Sequence, residues 1–226
     1  MKDTTLGKIG GFCSILLGIS YILIGVIFLL LPADQRVGSD SVAFYTSVAQ
    51  NPTLLSIYYL IFALGAVLGL GALPAISESV RSLHEGWTRW MANLAYLGFA
   101  VTAIVFFGVW TFQTYRASAF VKGDASVRAA IEATSQTLDP QGWLGFGGVG
   151  VWVLVVSLLA MRAKIWPTVL SYVGIAVAIL YWLVVVSFVF DVGILLSIVA
   201  GLGGVILAPI WYIWIGLLLR RLSAAN

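Results

Sequence analysis

The side chains in this sequence that could do chemistry are few and far apart. The one histidine, His84, stands beside Glu85 in a short polar stretch, and the one cysteine, Cys13, lies inside an apolar run. A bis-histidine haem, a structural zinc site and an internal disulfide each need several such groups converging, so none can be assembled within the chain. None of the four lysines falls in an apolar stretch, which excludes an intramembrane Schiff base of the retinal kind. Ser14, Ser20, Ser157, Ser187 and Ser197 do lie in apolar stretches. They have no Gly-x-Ser-x-Gly elbow and no buried base beside them, and serines so placed bond their own helix or a neighbour. The expectation is a protein without catalytic residues, metal ligands or cofactor.

Two groups of residues remain as candidate ligand contacts. Asp191, in Phe188-Val189-Phe190-Asp191-Val192-Gly193, reads as a turn residue because Asp with a nearby Gly suits a tight turn. If it faces inward it meets Gln113, Tyr115 and Arg116 at the same outer end of the bundle, and the four would line an outward-facing cavity. Trp211 and Tyr212, with Trp214, lie deeper in the last apolar run, where a ring could wall a pocket for an apolar ligand. Trp87, Trp90, Trp166 and Trp143 instead suit the interfacial belts where aromatic rings gather.

The elements that must position these residues follow from composition. Hydrophobic residues make up 61% of 226 positions and mean hydropathy is +1.05, against only 12 Lys and Arg and 9 Asp and Glu. So little charge cannot cover a water-facing surface, and at roughly 20 residues per span the apolar positions suffice for about six spans. Because an unpaired charge inside the bilayer costs several kcal/mol, the gaps between charges locate the helices. They fall at about 9–31, 54–76, 90–115, 143–161, 165–190 and 192–219, with outer loops at about 32–53 and 116–142 in a single domain. The first is too long for a signal segment and no Ala-x-Ala site follows, so it reads as a retained span. Lys and Arg are twice as frequent on the side of the termini as on the other, eight against four, which puts both termini in the cytoplasm. Within the second outer loop, Asp124 reads as the N-cap of a surface helix carrying Val127 and Ile131 on one face and Arg128 with Glu132 on another. The scattered cations form no stripe for nucleic acid.

Self-similarity suggests how the spans are grouped. Trp90 through Val101 matches Trp166 through Val177 at an offset of 76, with six of twelve residues identical. Segments 63–67, 145–149 and 201–205 share a small-apolar-Gly-small-Val pattern, and each is followed by an arginine at Arg81, Arg162 or Arg220. The fold expected is therefore all-α: a polytopic membrane protein of six transmembrane helices, arranged as three similarly oriented hairpins with a pseudo-threefold internal repeat. Pro74 and Pro209 lie within the second and sixth spans, where a proline kinks a helix or serves as a hinge.

Several stretches carry a resemblance: Lys8-Ile9-Gly10-Gly11, Leu73-Pro74-Ala75-Ile76, Trp166 through Gly174, and Ala208-Pro209-Ile210-Trp211-Tyr212-Ile213-Trp214-Ile215-Gly216-Leu217. Together they resemble the bacterial six-span group classified as domain of unknown function 4386. That resemblance implies a bacterial plasma-membrane protein and brings no substrate or catalytic residue with it. The function expected is a non-enzymatic binder of a lipid-like or apolar molecule, or an accessory subunit of a membrane complex. Its partners would be membrane lipids, an apolar small molecule, a second copy or a membrane complex. The alternative is a small transporter or permeation protein with an outward-facing cavity.

Overall fold

A computed structural model describes residues 4–36, 39–134 and 138–224, and every regular element among them is helical. Six helical segments are long and apolar enough to cross a membrane. The chain runs α1 (Thr4–Leu30), α2 (Ser41–Gln50), α3 (Thr53–Arg81), α4 (Glu85–Lys122), α5 (Ala125–Ala133), α6 (Val149–Ala163), α7 (Thr168–Val189), α8 (Gly193–Val199) and α9 (Ala208–Ala224). A π-helical turn, Trp143–Gly148, leads into α6, and a second, Ala200–Leu207, joins α8 to α9. Each long helix packs on its neighbours in the chain, and α9 closes onto α1, so the six spans form a ring in sequence order. The start of α1 and the end of α9 come to one face, where Gly11 lies against Arg220. We call that face the terminal end and the other the far end.

Glycine sets the closest approach in the ring. Gly11, Gly18 and Gly25 recur every seven residues on α1 and meet Gly216, Ile213 and Val205 in turn. Where lipid is as apolar as leucine, backbones that can approach this closely gain the dispersion contact that holds helices together. Ser14 Oγ adds a buried hydrogen bond of 2.6 Å to the carbonyl of Tyr212 across the same seam.

The third span differs in length from its expected 90–115. It is a helix of 38 residues, about 57 Å long against a hydrocarbon layer of about 30 Å. Gaps between charges mark only the part that lipid surrounds. Beyond Arg116 the helix is held by protein, with Ala117 and Phe120 buried beside Tyr45 of α2 and the Phe120 and Tyr45 rings stacked 4.4 Å apart. The segment 116–142 at the far end therefore starts as helix, and 32–53 contains α2, whose N-cap Asp40 accepts from the N–H groups of Val42 and Ala43. Asp124 caps α5 in the same way, through Ser126 and Val127. Arg128 turns back to donate to the carbonyl of Phe120 at 3.1 Å.

The small-residue echoes do not share one backbone. Segments 145–149 and 201–205 fall in or overlap the two π-helical turns, whereas 63–67 is ordinary α-helix. Pro74 sits within α3, and Pro209 follows the second π turn, where the hydrogen-bond ladder is already shifted.

Candidate functional site

A cavity of about 510 Å³ opens in the far half of the ring, between the main bundle core and the smaller cluster under α2. Its largest wall is one face of α4. Phe99, Thr102, Phe106, Val109, Gln113 and Arg116 follow one another at steps of three and four, so they form a single stripe that runs from apolar at depth to polar at the rim. The stripe of α3 opposite it presents Tyr59, Phe62 and Ala66, and α1 contributes Leu17, Tyr21 and Ile24. Phe62 stacks on Phe106 at 4.4 Å and 14°, and Tyr59 lies 6.0 Å from the same ring, so the middle of the cavity is aromatic. Phe44 and Tyr45 of α2 roof it from above.

The turn before α6 forms the remaining side. Gly142 adopts φ +73°, a left-handed conformation that costs a Cβ-bearing residue about 1–2 kcal/mol. Asp139 Oδ2 then accepts from Leu144 N at 2.9 Å and Gly145 N at 2.8 Å, and the π turn that follows swings Phe146 into the cavity wall. Close packing of this turn on α4 requires Gly98, whose Cβ would overlap the carbonyl of Leu144.

Several polar groups around the cavity are already used. Thr102 donates to the carbonyl of Gly98, Ser20 to that of Leu17, and Ser39 to those of Ala33 and Arg36. Gln113, although buried, makes no hydrogen bond among the described residues, and Arg116 makes no ion pair or hydrogen bond among them. Tyr45 faces this pair. Burial pushes its phenol above the ordinary tyrosine value, the Arg116 charge pulls it down, and Glu132 pushes it up.

The residues singled out in the sequence separate. Gln113 and Arg116 line the cavity. Tyr115, between them on the helix, is rotated to the outside and is 74% exposed. Asp191 is not among the lining residues. It is exposed on the turn between α7 and α8 with φ +53°, a conformation that Asp tolerates better than most, and Phe188, three residues earlier, reaches the cavity instead. Trp211 and Tyr212 are fully buried in the bundle core and are not among the residues lining this cavity. Trp211 packs edge-on to Trp152 at 6.1 Å and to Trp166 at 6.3 Å, while Tyr212 stacks on Tyr21, which forms the cavity floor. They are held inward because α9 packs on both α1 and α7. The aromatic wall of Tyr59, Phe62 and Phe106 carries no signal in the sequence that separates it from rings facing lipid.

No three His, Cys, Asp or Glu side chains among the described residues converge to hold a metal. The arrangement as a whole is that of a multi-pass helical membrane protein with an aromatic-walled cavity in one half of its bundle. By sequence the chain belongs to the family described as domain of unknown function DUF4386, which matches residues 16–219. No curated protein and no solved structure matches it.

Proposed function

We propose that the protein is a non-enzymatic membrane protein that binds a lipid-like or apolar molecule in the cavity between α1, α3 and α4. The observation that carries this reading is a concave aromatic wall of single-ligand size on which the described residues place no acid, base and nucleophile set. Ligand pockets are apolar concavities of about 300–1,000 Å³ with a few polar groups, and a cavity of about 510 Å³ lies within that range. At about 30 Å³ for each water-sized group it takes a body of about 17 such groups, which is one chain or a small ring system and less than a two-tailed lipid. In this reading the termini are cytoplasmic, as the excess of Lys and Arg at the terminal end supports, and the cavity belongs to the outer half of a bacterial plasma membrane.

Val109 lies midway along the α4 stripe and is half-buried, so a larger ring there fills the cavity without entering the main core. Native mass spectrometry of the gently extracted protein is expected to show a bound molecule that Val109→Trp loses. A wild-type protein that carries no adduct, even after incubation with membrane lipid extract, would refute the reading.

A further inference from the structure

We infer that the occupant of this cavity is a single-chain amphiphile with an anionic head, a carboxylate or a phosphate, held at the rim by Arg116 and Gln113 while its apolar body runs down the α4 stripe to Tyr21. The inference rests on reading the cavity as a ligand site, and it adds the chemical class of the ligand.

Arg116 is the exception among the arginines of the far end. Arg36 donates to the carbonyls of Leu29 and Leu31 and lies 5.8 Å over the ring of Phe28. Arg128 donates to the carbonyl of Phe120 and lies 5.5 Å over its ring. Arg116 is half-buried beside an apolar cavity and has neither kind of partner among the described residues. A partly desolvated guanidinium left unpaired is costly, and its planar fork of donors matches a carboxylate or phosphate in two-point contact.

The remaining polar groups point the same way. Asp139 is the one acidic residue in the cavity lining, and its Oδ2 is occupied by the Leu144 and Gly145 N–H groups. Gln113, one turn deeper than Arg116 on the same stripe, is 8% exposed and offers amide donors with no acceptor among the described residues. A head group at this point meets a cation and two amide hydrogens, with the lining carboxylate oxygen Asp139 Oδ2 already engaged by backbone N–H groups.

Depth makes the site accessible from the membrane. The 26 residues from exposed Trp90 to Arg116 rise about 39 Å along α4, against about 30 Å of hydrocarbon. Trp90 belongs at one interface, so Arg116 lies at head-group level on the other, where an amphiphile's charge already sits. Entry of the chain therefore strips water from the apolar body while the charged end stays near the depth it left.

The test uses the full chain purified in a neutral detergent, with binding of radiolabelled palmitate measured and hexadecyl phosphate and hexadecanol as competitors. The wild type is expected to bind one or both anionic amphiphiles at least about tenfold more tightly than the alcohol, the scale of one charge-assisted contact. The tighter of the two identifies the head group. Arg116→Gln is expected to reduce palmitate affinity to that of the alcohol and to leave the alcohol unchanged, with Arg116→Lys in between. Hexadecanol competing as well as palmitate in the wild type, or Arg116→Gln binding palmitate undiminished, would overturn the anionic-head inference and leave the cavity reading standing. Failure of all three amphiphiles to bind the wild type, or undiminished binding of all three by Val109→Trp, would overturn both.

Discussion

Adding one methyl group at Gly11 should separate α1 from α9. A Cβ there would lie 2.7 Å from the carbonyl oxygen of Gly216, and a Cβ on Gly216 would lie 2.6 Å from that of Gly11. Backbone oxygens cannot rotate away, so restoring an ordinary separation of about 3.5 Å moves the helices apart by about 1 Å. A gap of that size forfeits a quarter to a half of each contact along the seam, and overpacking of this kind costs about 1–3 kcal/mol. The bond from Ser14 Oγ to the Tyr212 carbonyl crosses the same seam, and stretching it adds about 1 kcal/mol. Against this stands a helix-propensity gain of about 0.5–1 kcal/mol for replacing glycine by alanine. The net loss of about 2–3 kcal/mol corresponds to a fall of roughly 5–10 °C in Tm for a chain of this size. Thermal unfolding in detergent measures it, with Gly108→Ala as the control, since a Cβ at Gly108 meets nothing within 4 Å and should be neutral or mildly stabilising. Gly216→Ala should match Gly11→Ala, and the double variant should lose much less than the sum, because the helices part only once. Gly11→Ala unfolding at the same temperature as Gly108→Ala would refute the proposed contact.

Two further outcomes follow from the far end. Gly142→Ala should destabilise by about 1–3 kcal/mol, because it places a Cβ at φ +73° and 2.7 Å from the Phe146 ring, and it should weaken palmitate binding as that ring shifts in the cavity wall; a variant with wild-type Tm and affinity would contradict this. The carboxylate of Asp124 is held below the ordinary aspartate value of 3.8 by the Val127 N–H and the Ser126 hydroxyl. A lowered folded value means the cap's contribution is complete above the ordinary value and disappears as pH falls through the lowered one, so protection of the amides over 125–133, measured against their intrinsic exchange rates, should fall in that acidic window and not in Asp124→Asn.

The six crossings could be read from the sequence because charge is excluded from lipid, and that exclusion leaves a mark on every span. The same rule could not find where α4 ends. From Ala117 onward its partners are Tyr45 and other residues of the chain, and protein tolerates helix where lipid would not require it. Asp124 is legible as a cap because Val127 with Ile131 and Arg128 with Glu132 stand four apart in the 9-residue helix after it, whereas the 10-residue α2 after Asp40 carries no such pair of opposite charges. The cavity was harder. In a span, rings facing lipid and rings facing a cavity are equally apolar, so Phe62, Phe106 and Tyr21 carry no compositional sign of their role. Polar residues near the span ends do carry one, which is why Gln113 and Arg116 could be selected. Their neighbour Tyr115 shows the limit of selecting by level along the axis, since one residue is 100° around the helix. Trp211 and Tyr212 failed differently, because a ring rich in aromatics fills its own centre before it leaves space for a ligand.

The uninterrupted course of α4 has a mechanical consequence. A helix without a proline or a break between Glu85 and Lys122 behaves as a stiff rod, and one side of that rod is the cavity wall while its protruding end is clamped by Tyr45 and Arg128. Force applied to α2 or α5 from outside the membrane is therefore delivered along the rod to the stacked Phe62 and Phe106 rings, with no hinge between to absorb it. The roof formed by α2 and the wall of the cavity are thus two parts of one rigid body, with the same helix carrying both.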